Sequence, residues 1–155
     1  MLHEIAHFLV YVIQGVPATI EYGYVRTEIS LCSALLAGPL YHILVSSICL
    51  ILERYNKKNK EIWALIGLAT ILSRLVSTCM VIGLRLYGYE HILYDNDEGY
   101  VAVSIGIPIG VMYAICFLLY FISSILHIKR IKEKGLVIRM VLYTILVLLY
   151  LTGKW

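Results

Sequence analysis

From residue 31 to residue 52 the chain runs without a single Asp, Glu, Lys or Arg, and residues 101–128 repeat that feature. Apolar runs of this length leave few choices. A segment in hydrocarbon must satisfy its own backbone hydrogen bonds, which a helix does, and at 1.5 Å per residue about 20 residues cover the hydrocarbon thickness of roughly 30 Å. Residues 62–84 and 136–152 are similar runs, each interrupted by one arginine, Arg74 and Arg139. The composition agrees: 61% of residues are hydrophobic and 15% charged, with a mean hydropathy of +0.84, whereas soluble domains carry about a quarter charged residues. The expected fold is therefore an all-α polytopic membrane protein of about five membrane segments, residues 1–14, 31–52, 62–84, 101–128 and 136–152, forming one domain over residues 1–155 with no internal repeat.

The first segment is the short one. Residues 1–14 make about 21 Å of helix, and only Met1 and Leu2 precede its first polar residue, so it is expected to span partly or to be shortened at its N-terminus. It has no basic leader and does not read as a cleavable signal. Gly15 and Pro17 stop it. Residues 16–30 then place β-branched and aromatic side chains on either side of Gly23, the pattern of a short hairpin. A hairpin with open edges cannot face lipid, and its free edge suits either strand addition by an extended peptide or an ordinary surface role.

A net charge of +3 does not indicate nucleic acid, because the basic residues gather in two short loops, 54–60 and 129–134, beside membrane segments. That is the positive-inside pattern. The four cysteines lie in apolar segments without CxxC or Cys/His spacing, so neither a disulfide framework nor a thiolate metal site is indicated. Within segment four, Gly106, Pro108 and Gly110 allow a bend.

The chemistry begins at His3-Glu4-Ile5-Ala6-His7, an HExxH pattern. On a helix the two histidines share a face one turn apart, the spacing at which two imidazoles hold one Zn²⁺ while Glu4 remains free to act on a water. The surrounding residues are apolar, and ionisable groups in hydrocarbon are costly enough to mark a paired or functional interior. On segment two, Ala37-Gly38-Pro39 combines small residues that permit close helix approach with a proline that bends the helix. His42, at about the depth of the motif, is a pocket hydrogen-bonder or an alternative ligand. Arg74 within segment three needs a partner or water, and reads as a structural ion pair or as an electrostatic stabiliser. Residues 85–100 carry the cluster Glu90, Asp95, Asp97 and Glu98 just before segment four. These carboxylates are either turn and capping chemistry or the source of a third metal ligand.

Three of these pieces, HEIAH with the following Gly15-Val16-Pro17 turn and hairpin, Ala37-Gly38-Pro39 on the next segment, and Asn96-Asp97 opening a later one, resemble the site-2 protease family of intramembrane zinc metalloproteases, in particular its compact prokaryotic branch. The resemblance covers most of residues 1–110. It implies a zinc cofactor on His3, His7 and Asp97, with Asp95 and Glu98 as alternative carboxylates, and Glu4 as general base. It further implies an integral protein of a prokaryotic cell membrane that hydrolyses peptide bonds of membrane-spanning or membrane-adjacent substrates. A membrane metal-binding or transport protein, or an inactive relative, is the competing expectation. Loop charge puts the 54–60 and 129–134 loops in the cytoplasm and the site on the other side; the resemblance implies a site open to the cytosol. The two readings give opposite orientations.

Overall fold

The computed structural model describes residues 2–21, 24–94 and 96–152. In chain order these form α1 (Leu2–Ile13), a hairpin of β1 (Ala18–Glu21) and β2 (Tyr24–Thr27), α2 (Cys32–Tyr55), α3 (Lys60–Leu86), a 3₁₀ turn (Glu90–Leu93), α4 (Asp97–Ile105), α5 (Ile109–Ile128) and α6 (Lys134–Thr152). The chain is thus the expected all-α membrane protein with a small hairpin after its first helix. Among the described residues α2, α3 and α5 are long and apolar enough to cross a membrane, and α1 is apolar but shorter.

Burial follows the logic of a membrane solvent. On α2 the exposed positions Leu40, Leu44, Ile48 and Ile51 recur at helical spacing, while Ala34, Gly38, Ser46, Cys49 and Glu53 are buried. Large apolar side chains lie outside, where lipid accepts them; small and polar ones lie inside, where helices approach and hydrogen-bond.

The expected segment four is two helices. Gly106 adopts φ 72° as the left-handed C-cap of α4, its amide bonded back to the Ala102 and Val103 carbonyls. Glycine takes this conformation without a Cβ penalty, and Pro108 two residues later cannot extend the α4 ladder. The helix also begins earlier than expected, at Asp97 rather than Val101. Asn96 is its N-cap residue but makes no side-chain capping bond; instead its side-chain Nδ2 donates to the Ile92 carbonyl at 2.7 Å, tying the helix start to the 3₁₀ turn.

Chain contacts divide the molecule into two compact units, one made of residues up to His42 with Ile82–Ile115, the other of Ile43–Val81 with residues from Cys116 onward. In the first unit α1 docks along the start of α2 as an antiparallel ladder. His7 meets the Ala34 carbonyl, the Tyr11 hydroxyl accepts from the Leu31 amide at 3.4 Å, and Gln14 exchanges two hydrogen bonds with Ser33 at 2.9 and 3.1 Å. Positions 7, 11 and 14 share one helical face. The hairpin packs against α1, pairing antiparallel from Ala18↔Thr27 to Glu21↔Tyr24; Tyr22 and Gly23 at its tip lie outside the described residues. Across the last pair the Tyr24 hydroxyl donates to Glu21, which holds that carboxyl below the usual carboxylate range and pushes the phenol up, with Arg26 adding to the first effect.

The second unit has an apolar core of Ala64, Leu68 and Leu72, one face of α3, closed by Ile131 and Val137. Beside it runs a buried polar chain that the sequence reading did not anticipate. His127, fully buried, contacts the Ser46 hydroxyl through Nε2 at 2.8 Å and the Glu53 carboxylate through Nδ1 at 2.8 Å; Arg130 donates to the other Glu53 oxygen, and Ser46 and Ser123 share a hydrogen bond of 2.6 Å. Gly67 admits the imidazole, because a Cβ there would collide with His127 Cε1 and Nε2.

Breaking a buried charge pair from one side leaves the other charge uncompensated. Glu53→Ala is therefore expected to destabilise the protein by about 3 kcal/mol, read as a lowered midpoint of thermal or denaturant unfolding in detergent, and Gly67→Ala should also lower it. A Glu53→Ala variant as stable as wild type would remove this network from the account of what holds the second unit together.

Candidate metal centre

The first unit brings together two motif histidines and one distant carboxylate. His3 Nε2 lies 2.9 Å from Asp97 Oδ2 and 3.0 Å from His7 Nε2, and His7 Nε2 lies 3.4 Å from the same Asp97 oxygen. Three elements produce this triangle. α1 places His3 and His7 on one face, α2 supplies the surface they rest on, and the first turn of α4 delivers Asp97.

Local sequence explains why each piece fits. Gly38 is where the imidazoles meet α2, and a Cβ built there would run into His3 Cε1, His7 Nε2 and His3 Nε2. Gly99 has a comparable role under α4: a Cβ there would strike the Leu93 carbonyl, which also accepts a hydrogen bond from the buried Tyr113 hydroxyl at 3.2 Å. With glycine at 99, α4 starts hard against the 3₁₀ turn.

Hydrogen bonding fixes the chemistry of His7. Its Nδ1 lies 2.6 Å from the Ala34 carbonyl, an acceptor only, so Nδ1 carries the proton and Nε2 of the neutral ring presents a lone pair to the triangle. A carboxylate is likewise acceptor-only. One proton on His3 Nε2 can be directed at Asp97 or at His7, and the remaining contacts then set lone pair against lone pair. Donor atoms this close call for a positive charge between them, an added proton or a metal cation.

The dimensions suit a metal. Bonds of about 2.0–2.1 Å at tetrahedral angles separate neighbouring donors by about 3.3 Å, against 2.9, 3.0 and 3.4 Å here. Two imidazoles and one carboxylate are a donor set suited to zinc and related divalent ions. The His7–Ala34 bond is the kind of outer contact that orients a ligating imidazole. His3 lacks one: its Nδ1 is buried without a hydrogen-bond partner among the described residues.

Of the other expected site residues, only some lie near this group. Glu4, next to His3 on α1, is half-buried. His42 is a ring neighbour of His3, with centroids 5.3 Å apart, and stands beside the three-atom group. Glu98 is buried in the first turn of α4 but is not part of it. Asp95 lies outside the described residues. Arg74 belongs to the second unit. The sequence reading took Gly38 as a general close-approach signal and did not foresee its contact with both imidazoles, nor the part played by the Ala34 carbonyl. Spacing on α1 carried the only hint: residue 7 and residue 34 belong to helices joined by a short hairpin.

Gly38→Ala forces the imidazoles off their present positions. Metal affinity of the purified protein, measured by competition with a coloured chelator, is expected to fall about tenfold or more, the size of effect seen when outer contacts of metal ligands are lost; unchanged affinity would show that Gly38 does not shape the centre. Compared with protein-family models, with curated proteins and with solved structures, the chain gives no match.

Proposed function

We propose that the protein is an intramembrane zinc metalloprotease, a multi-pass protein of a prokaryotic cell membrane that hydrolyses peptide bonds of membrane-spanning or membrane-adjacent substrates. The observation that carries this reading is the convergence of His3, His7 and Asp97 within one small triangle, in a chain whose HExxH pattern supplies an adjacent Glu4. Such a triad of ligands leaves a fourth tetrahedral position for water or substrate.

A zinc ion on these residues would lower the pKa of a bound water and polarise a peptide carbonyl. Glu4 would take a proton from a water whose oxygen adds to the peptide carbonyl, and would return it to the amine released as the C–N bond breaks, the two tasks of a general base that becomes a general acid. The Ala34 carbonyl holds His7 in one tautomer throughout. The partial burial of His3, His7 and Asp97 strengthens the charge interactions among them. The hairpin, packed against the motif helix, offers backbone groups to which an extended substrate segment can add as a strand. Such an arrangement would present the segment unwound, as hydrolysis of a helix-shielded bond requires.

The membrane metal-binding or transport reading shares the ligands but gives Glu4 no chemical task. Glu4→Gln separates them. In a detergent-solubilised or reconstituted assay with a labelled single-span peptide, the variant is expected to retain stoichiometric metal and to lose cleavage by about a hundredfold or more. Cleavage at the wild-type rate would remove Glu4 from the mechanism, and a wild-type protein that binds metal but never cleaves would favour transport.

A further inference from the structure

The second unit contains a cavity of about 540 Å³ lined by Lys60, Lys129, Arg130, Lys132 and Lys134 with Glu53 as the one carboxylate. That volume is within the range of small-ligand pockets. Five cations face one anion, and the anion is already engaged by Arg130 and His127. Lys134 bonds the Ile128 and Ile131 carbonyls at 2.6 and 2.7 Å, closing the C-terminal end of α5. Lys60, Lys129 and Lys132 have no carboxylate side-chain partner among the described residues.

A basic loop beside a membrane helix needs no ligand to explain it, since loop charge by itself biases topology. This loop is different in being fixed. Ile131, 1% exposed, is inserted into the apolar core, the Lys132 amide donates to Glu61 at 2.8 Å, and Arg130 is held by the buried Glu53. The backbone between Arg130 and Lys132 is thereby anchored, while the side chains of Lys60, Lys129, Lys132 and Lys134 are exposed around the cavity. Helix dipoles add to the charge: Lys60 is the first residue of α3 and Lys134 the first of α6, so two cations sit at helix N-termini, where the dipole disfavours positive charge and favours an anion.

We propose that this cavity is a binding site for the phosphate of an anionic phospholipid headgroup. Phosphate oxygens accept from an arginine fork and several ammonium groups at once. The membrane supplies the partner, because the cavity stands where the apolar runs of α2 and α5 end and that of α3 begins, the level of the headgroups. Basic pockets at such positions are known to take phospholipid headgroups. The site is independent of the metal centre and of any peptidase activity.

The test uses the full chain carrying Trp155→Phe, so that Trp63, one turn after Lys60, is the sole tryptophan. Reconstituted in phosphatidylcholine vesicles, it is titrated with brominated phosphatidylglycerol or with brominated phosphatidylcholine, and quenching of Trp63 is followed. The anionic lipid is expected to quench at about a tenfold lower mole fraction. Lys129→Gln with Lys132→Gln should abolish that preference, whereas Lys57→Gln with Lys58→Gln, which removes the same charge from a loop outside the cavity lining, should change it by about twofold or less. Equal quenching by both lipids in the wild type overturns the proposal, and this comparison is decisive even if the double variant fails to insert. Equal losses from the two lysine pairs would reduce the effect to general surface charge and also overturn it. Inorganic phosphate that removes the preference at a concentration where chloride does not would reassign the site to a soluble anion.

Discussion

An imidazole carried into hydrocarbon has to find a hydrogen-bond partner, and for His7 that partner is the carbonyl of Ala34. The bond orients one ring nitrogen outward and leaves the other with its lone pair, and it draws α1 onto α2 closely enough that only glycine fits at position 38. Tyr11 and Gln14 continue the contact one and two turns further along the same face. Without that docking His3 and His7 would be two polar residues on a short apolar helix; with it they form a surface against which a third donor can close.

The second unit answers the same physical demand with different residues. Burying Glu53, His127 and Ser46 is tolerable because each side-chain polar atom of these three residues has a partner, Arg130 supplying the last one. A consequence reaches the surface: the carboxylate that neutralises Arg130 also anchors it, and a loop that would otherwise be mobile becomes the wall of a cationic cavity. Buried polarity here organises the exposed charge.

The architecture was legible because its signals are local. Apolar runs set the positions of α2, α3 and α5, Gly15 and Pro17 ended α1, and alternation around Gly23 announced the hairpin. Segment four was less legible. Gly106, Pro108 and Gly110 signalled a bend, but whether a flexible stretch bends or breaks depends on what the preceding helix packs against, and here Gly99 seats α4 against the Leu93 carbonyl. Glu53 and His127 escaped notice because they stand at the ends of their apolar runs, where charged residues are ordinary, and nothing along the chain says that positions so far apart face one another.

What the sequence determined by itself is the membrane character, the helical class, the hairpin and the shared face of His3 and His7, since each follows from hydropathy or from helical periodicity within a few residues. Between Asp97, which the resemblance put first, and Glu98, it is the tertiary structure that brings Asp97 to the histidines. Asp97 and Glu98 are chain neighbours with nearly the same chemistry, and successive side chains on a helix point about 100° apart. The start and rotation of α4 are set by its packing on the 3₁₀ turn, and that rotation turns Asp97 toward the imidazoles while Glu98 is buried elsewhere.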